Sequence, residues 1–247
     1  MPSLHGRHRL DPSPDLSSDN LSVSSFFVEN LLLHLFLVAT TLFPLFGPSS
    51  VALSTPGDDQ VGERSHLLDF KHSLDDPEML ASWNDDIHYC EWDGVLCQDG
   101  VVVSLSLSGQ SLKGPLSRSL FALSGLVSAD LSFNSFSGEL SGEVSNLRNL
   151  NVLSLSNNGR SGELPARLGE LAGLETLKLG FNSFVGRVPP ELGMLNRLQM
   201  LELSSNALVG ELPSELSGMS RLRFLDFANN LLSGPLPGSM LLTRCIK

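Results

Sequence analysis

A unit of 24 residues repeats six times in this chain, and no other feature constrains the fold as strongly. The copies begin at Val102, Leu126, Leu150, Leu174, Leu198 and Leu222. Seven positions of the unit (1, 4, 6, 11, 15, 19 and 22) are apolar in 40 of their 42 occurrences, and the exceptions are Arg160 and Thr243. A unit this short cannot bury its apolar side chains alone, so the pattern predicts a solenoid in which successive copies stack.

Two further positions of the unit carry special residues. The thirteenth is glycine in every copy, which permits a positive φ or a close backbone contact. The ninth is Gln110 in the first copy and asparagine in the five others, Asn134, Asn158, Asn182, Asn206 and Asn230. We expect these asparagines to form a structural ladder, because their amides can pair with backbone groups that a non-helical turn leaves unpaired.

The repeat resembles the plant-type leucine-rich repeat of extracellular receptors and receptor kinases. Its pattern is LxxLxLxxNxLxGxLPxxLxxLxx, and the fourth copy reads LETLKLGFNSFVGRVPPELGMLNR. The resemblance covers residues 102–240 and implies an α/β fold. We therefore expect a right-handed solenoid of six repeats, in which the LxxLxL strands form a parallel sheet on the concave face.

The segment before the repeats differs in composition. Residues 58–100 hold 12 acidic and two basic residues, whereas residues 101–247 hold 11 acidic and 12 basic residues. Leu67, Phe70 and Leu74 have helical spacing. Because stacked repeats leave an apolar face open at each end, we expect residues 58–101 to form an N-terminal cap.

Two motifs in this segment resemble the capping domain of the same plant receptors, whose signature is LxSW followed by CxWxGVxC. Here the motifs read LASW at residues 80–83 and CEWDGVLC at residues 90–97. The resemblance implies a disulfide between Cys90 and Cys97, which requires an oxidising compartment. The alternative is a zinc site that uses the nearby His88, but four ligands at finger-like spacing are absent from the sequence.

The first 57 residues read as a targeting leader. The segment 26–53 is strongly apolar, and no formal charge lies between Leu31 and Leu53. Small residues follow a Pro-Gly-Pro-containing stretch, and Ser50 and Ala52 suit a signal-peptide cleavage site. An uncleaved signal anchor is the alternative. Either interpretation predicts entry into the secretory pathway, with the chain in the extracellular space, the apoplast, or held at the plasma membrane through the leader.

Composition and motifs exclude several functional classes. The net charge of −11 argues against nucleic-acid binding. No phosphate-binding, nucleophile-elbow or metalloprotease motif occurs, and all six histidines precede the repeats. We therefore expect no enzymatic activity, no catalytic or metal-binding residues and no cofactor.

A binding surface is expected on solvent-facing positions of the concave sheet, the third, fifth and eighth of each copy. In copies four to six these positions bring together aromatic, apolar and charged residues of the kind found at interaction hot spots. The candidate partner-binding residues are Lys178, Phe181, Met200, Glu202, Phe224 and Asp226. The alternative is an ordinary solvated sheet on which Phe133 and Phe181 only pack in a ladder. For Arg160 we expect a packed stem, with the guanidinium reaching the convex edge.

The sequence thus predicts an extracellular, receptor-like recognition module that binds a peptide, a small ligand or a partner ectodomain. One alternative is a secreted inhibitor of a cell-wall hydrolase. Another is a truncated, non-signalling fragment of a receptor kinase, because residues 241–247 read as a truncated tail in which Cys245 has no expected partner.

Overall fold

The computed structural model describes residues 58–237, in which a helical cap precedes stacked repeats. Helix α1 spans Asp58–His72. The strands are β1 Val95–Gln98, β2 Val101–Ser106, β3 Lys113–Pro115, β4 Ser128–Asp130, β5 Ser135–Glu139, β6 Val152–Ser154, β7 Gly159–Ser161, β8 Thr176–Lys178, β9 Met200–Glu202, β10 Val209–Glu211, β11 Phe224–Asp226 and β12 Leu231–Ser233. Short 3₁₀ helices span Pro77–Leu80, Tyr89–Glu91, Arg118–Ala122, Gly142–Asn146, Ala166–Glu170, Pro190–Met194 and Ser214–Gly218.

The long sheet has seven strands in the order β1-β2-β4-β6-β8-β9-β11. Strand β1 is antiparallel to β2, and all later neighbours are parallel. Each parallel pair is in register by one whole unit, as in Leu177 opposite Leu201. The fourth-position side chains, which face the core from this sheet, are buried in every copy. These findings confirm the predicted parallel sheet and solenoid.

A second set of short parallel strands was not predicted from the sequence. Strands β3, β5 and β7 form one sheet, and β10 and β12 form another. At the equivalent place in the copies between these two sheets, Glu163 and Val185 form a single parallel β-bridge. The pairing is offset from the long sheet by two residues, since Gly114 lies opposite Phe136. These strands are too short to give a period-two pattern, so the sequence carried no signal for them.

The thirteenth-position glycines serve this second set of strands. Gly162 has a φ of 74°, which favours glycine. A Cβ at Gly162 would also lie 2.6 Å from the Cγ of Glu139, the fourteenth residue of the preceding copy. The same overlap relates Gly186 to Glu163. Glycine is therefore required here both by its backbone angle and by a neighbouring side chain.

The cap closes the N-terminal end of the core with aromatic side chains. Leu67 and Phe70 of α1 are fully buried. The rings of Trp83 and Trp92 stack with centroids 5.4 Å apart, and Phe70 lies 6.2 Å from Phe136 of the second repeat. This arrangement confirms the predicted helical cap.

Polar contacts and a disulfide fix the cap. Lys71 Nζ donates to the carbonyl of Trp83 at 2.9 Å, and the backbone N–H of Val102 donates to the buried Glu63 carboxylate at 2.9 Å. Cys90 and Cys97 form a disulfide with their Cα atoms 5.4 Å apart. The cysteines are thus joined to each other, as the family resemblance implied, and within 58–237 no group of three potential ligands is placed to hold a metal ion.

The predicted leader and the tail at 241–247 lie outside the described residues. None of the helices within 58–237 combines the length and apolar character needed to cross a bilayer.

Candidate functional site

Two rows of side chains cross strands β8, β9 and β11 on the solvent-facing side of the long sheet. Because the strands are in register, equivalent positions of successive copies lie side by side. The third-position row contains Thr176, Met200 and Phe224. The fifth-position row contains Lys178, Glu202 and Asp226. We call these six residues the two-row surface, and all six are half-buried.

The structure therefore brings five of the six candidate partner-binding residues together, with Thr176 completing the set. The sixth candidate, Phe181, lies beyond the end of β8 at the edge of this surface. Thr176 was not among the residues singled out from the sequence, although it occupies the third position of its copy, as Met200 and Phe224 do in theirs.

In the charged row, Lys178 lies opposite Glu202 and Asp226 lies opposite Glu202 on its other side. Of the ion pairs in residues 58–237, none includes Lys178, Glu202 or Asp226. Asp226 Oδ1 accepts a hydrogen bond from the backbone N–H of Ala228 at 3.0 Å. A Cβ at Gly180 would lie 2.8 Å from Glu202 Oε1, so the Glu202 carboxylate occupies the space above that glycine. Adjacent like charges on neighbouring strands destabilise a sheet, so a cationic partner group would relieve the repulsion between Glu202 and Asp226.

The eighth position of every copy has left-handed backbone conformation. The φ angles are 54° at Phe133 and Phe181 and 57° at Asn157. Phe133 is 63% exposed and Phe181 is 52% exposed. Among the ring contacts within 58–237, none involves either phenylalanine. Within the described part of the chain the two phenylalanines therefore do not stack on other aromatic rings, and the alternative of an ordinary solvated sheet stays a prediction.

Sequence reasoning missed this conformation, although a signal for it exists. The other copies carry Gly109, Asn157, Ser205 and Asn229 at the eighth position. Glycine and asparagine are the residues that most readily adopt a left-handed conformation. A bulky residue such as phenylalanine is rare in this conformation.

The ninth-position asparagines hold the turns that follow the strands. Asn182 Nδ2 reaches the carbonyls of Leu155 at 2.9 Å and Leu179 and Gly180 at 3.1 Å, and its Oδ1 accepts from the backbone N–H of Arg160 at 3.0 Å. Equivalent sets of four contacts occur at Asn134, Asn158, Asn206 and Asn230. Each asparagine therefore ties its own copy to the one before it.

Arg160 corrects one expectation from the sequence. Its side chain is 0% exposed rather than reaching the convex edge. The guanidinium bends back and donates to the carbonyls of Ser137 and Glu139, while its Nε has no hydrogen-bond partner in the described residues. Burial lowers the pKa of Arg160 to about 10, opposed in part by the Glu139 carboxylate. The buried guanidinium is stabilised by the carbonyls of Ser137 and Glu139 on β5. The sequence did not predict this strand, so it did not predict the burial of Arg160.

Comparison with known families agrees with this architecture. Residues 62–98 match the leucine rich repeat N-terminal domain. Residues 149–171 and 169–232 match leucine rich repeat families. The matches thus cover the cap and the C-terminal part of the array.

Three similar proteins come from Arabidopsis thaliana. The leucine-rich repeat receptor protein kinase EMS1 is 40% identical over 93 residues, which are 37% of this chain and 8% of EMS1. The ectodomain of the receptor kinase GASSHO1/SCHENGEN3, solved with CASPARIAN STRIP INTEGRITY FACTOR 2, is 35% identical with a TM-score of 0.70, covering 72% of this chain and 22% of that one. A chain of the BIR3–SERK2 complex is 34% identical with a TM-score of 0.62, covering 68% of this chain and 94% of that one. The chain spans less than a tenth of the length of the first curated relatives it matches.

Proposed function

Because the chain belongs to the leucine-rich repeat family of plant receptor-like ectodomains with an N-terminal cap, we propose that it is an extracellular recognition module for a protein or peptide. Two similar structures support this class of partner. One is a receptor ectodomain in complex with CASPARIAN STRIP INTEGRITY FACTOR 2, and the other is a complex of BIR3 with SERK2. The proposed partner is therefore a secreted peptide or a second ectodomain.

The observation that carries the proposal is the two-row surface. Met200 and Phe224 lie beside each other, directly next to Glu202 and Asp226, whose carboxylates form no ion pair within the described residues. Apolar side chains flanked by groups that can pair with a partner are typical of interaction hot spots. A matching partner segment presents an apolar side chain to the third-position row and a basic side chain to Glu202 and Asp226.

The proposed location is the secretory pathway and the cell exterior. The Cys90–Cys97 disulfide fits an oxidising compartment, because such bonds are rare in the cytosol. Similar structures include the ectodomains of the plant membrane receptor kinase GASSHO1/SCHENGEN3 and of the receptor kinase SOBIR1, which favours the same compartment.

Biolayer interferometry on the full chain, secreted from insect cells, tests the proposal. The probes are the SERK2 ectodomain and a synthetic library of secreted plant peptides. We expect at least one probe to bind, and we expect the double variant Glu202→Lys/Asp226→Lys to weaken that binding by about tenfold or more.

The matched control is Glu191→Lys/Glu215→Lys, which makes the same change of charge on two of the 3₁₀ helices. This control should bind like the unaltered chain. Failure of every probe to bind, or an equal loss in both double variants, would contradict the proposal.

A further inference from the structure

The eighth-position row, which we define as Phe133, Asn157, Phe181, Ser205 and Asn229, has features of a ligand site that the two-row surface does not explain. We infer that it binds an uncharged, extended β-1,4-linked glycan chain that runs across the strands. This inference does not rest on the proposed protein or peptide partner.

The first observation is the backbone. Phe133 and Phe181 adopt φ angles of 54°, a region in which a bulky side chain is strained. The turn itself is rigid, because the N–H of Phe133 donates to Ser156 at 2.9 Å and that of Phe181 donates to Ser204 at 2.8 Å. Retained strain of this kind is concentrated at functional sites, where the structure holds a side chain in place for a ligand.

The second observation is exposure without compensation. More than half of each phenylalanine is exposed, and neither ring contacts another ring in residues 58–237. Neither ring belongs to the buried core, and Asn157 and Asn229 show that a polar residue meets the same backbone requirement. Aromatic faces held open in this way provide flat, apolar platforms.

The spacing of the two rings selects the ligand. Successive strands lie about 4.8 Å apart, so the backbones that carry the two rings are separated by about 9.6 Å. In a β-1,4-linked chain each sugar advances by close to one strand spacing, and every second sugar presents the same face. Phe133 and Phe181 can therefore stack on alternate sugars, with Asn157 beside the sugar between them. An extended peptide repeats its side chains on one face about every 6.8 Å and does not match.

The polarity of the row fits a neutral polyhydroxyl ligand. No member of the row is charged, whereas charges are concentrated in the fifth-position row. The Asn157 side-chain amide has no hydrogen bond within the described part of the chain, and Asn229 Nδ2 donates to Ser205 Oγ at only 3.3 Å. These amides and the hydroxyl are available to sugar hydroxyls.

Isothermal titration calorimetry of the full, secreted chain with cellohexaose tests the inference, with laminarihexaose, whose linkage gives a different spacing, as the comparison. We expect binding to cellohexaose and at least tenfold weaker binding to laminarihexaose. Phe133→Asn and Phe181→Asn should each weaken cellohexaose binding about five- to tenfold. Their melting temperatures should stay equal or rise, since asparagine relieves the backbone strain.

Added rings give a second, independent test. Asn229→Phe places a ring two copies beyond Phe181 and should tighten cellohexaose binding several-fold. Ser205→Phe places a ring out of phase and should not. Met194→Asn removes an exposed apolar side chain from a 3₁₀ helix and should leave binding unchanged.

The inference is overturned if cellohexaose does not bind, if laminarihexaose binds equally well, or if the two Phe→Asn variants bind like the unaltered chain. Equal tightening by Asn229→Phe and Ser205→Phe would overturn the spacing argument, and with it the choice of glycan.

Discussion

The cap and the repeats bury their cores by different means. The cap uses large rings, with Trp83 stacked on Trp92, and a disulfide across eight residues. The repeats use leucine at equivalent positions and one asparagine per turn. A repeat completes its core with its neighbours, whereas a terminal unit has a neighbour on one side only and must fill more volume from within. The stability of the cap should therefore depend on single side chains, and that of the array on contacts between copies.

The largest effect should follow from Trp83→Ala in the cap. Trp83 is fully buried, contacts Phe70 and Trp92, and donates its Nε1–H to the carbonyl of Asp93 at 2.9 Å. We expect the free energy of unfolding to fall by about 4 kcal/mol. Urea denaturation followed by tryptophan fluorescence and circular dichroism measures this, with Trp83→Phe as the milder control. A loss below about 1 kcal/mol would show that the cap does not depend on this ring.

An intermediate effect should follow from Asn182→Ala in the array. The change removes four contacts and leaves buried backbone groups of two copies without partners. We expect a loss of about 2–3 kcal/mol and faster hydrogen exchange at the Arg160 N–H. Gln110→Ala is the control, because Gln110 is exposed. If the two substitutions lowered the free energy of unfolding equally, the asparagine ladder would contribute no more to stability than an exposed side chain does.

The smallest of these three effects, and the only one of the three that is a gain in stability, should follow from Arg160→Leu. The change returns an apolar residue to an apolar slot and removes a buried charge, so we expect about 1 kcal/mol of added stability at pH 7. Burial lowers the pKa of Arg160 to about 10 in the folded chain. Above pH 10 the folded chain therefore loses this proton before the unfolded chain does. The contribution of Arg160 to the free energy of unfolding then rises with pH up to the ordinary pKa of arginine. Urea denaturation at pH 7 and pH 11 should show a smaller advantage of the variant at pH 11. An advantage that is absent at pH 7 would contradict the assignment.

The repetitive parts of the fold could be predicted because their physical cause is repeated six times. A single leucine is ambiguous, but a core slot such as Leu177 occurs with its equivalents at fixed intervals, and the parallel sheet follows from them. The cap could be predicted from motifs that hold Trp83, Cys90 and Cys97. In both regions the sequence predicts which positions are buried, but it does not predict the backbone conformation between those positions.

The surface was only partly predictable for that reason. Register alone places Lys178, Met200 and Glu202 side by side, so the two-row surface follows from the repeat length. The left-handed backbone at Phe133 and the inward path of Arg160 depend on hydrogen bonds to neighbouring copies. Such contacts arise only once the copies are stacked, and a pattern within one copy does not contain them.

The asparagine ladder also limits how such a molecule can change over evolutionary time. Each amide joins atoms exactly 22 and 27 residues upstream of it, as Asn182 does with Arg160 and Leu155. An insertion or deletion of one residue between them breaks both contacts at once, whereas a gain or loss of a whole copy leaves every contact intact. The length of the array is therefore free to vary, but only in steps of 24 residues.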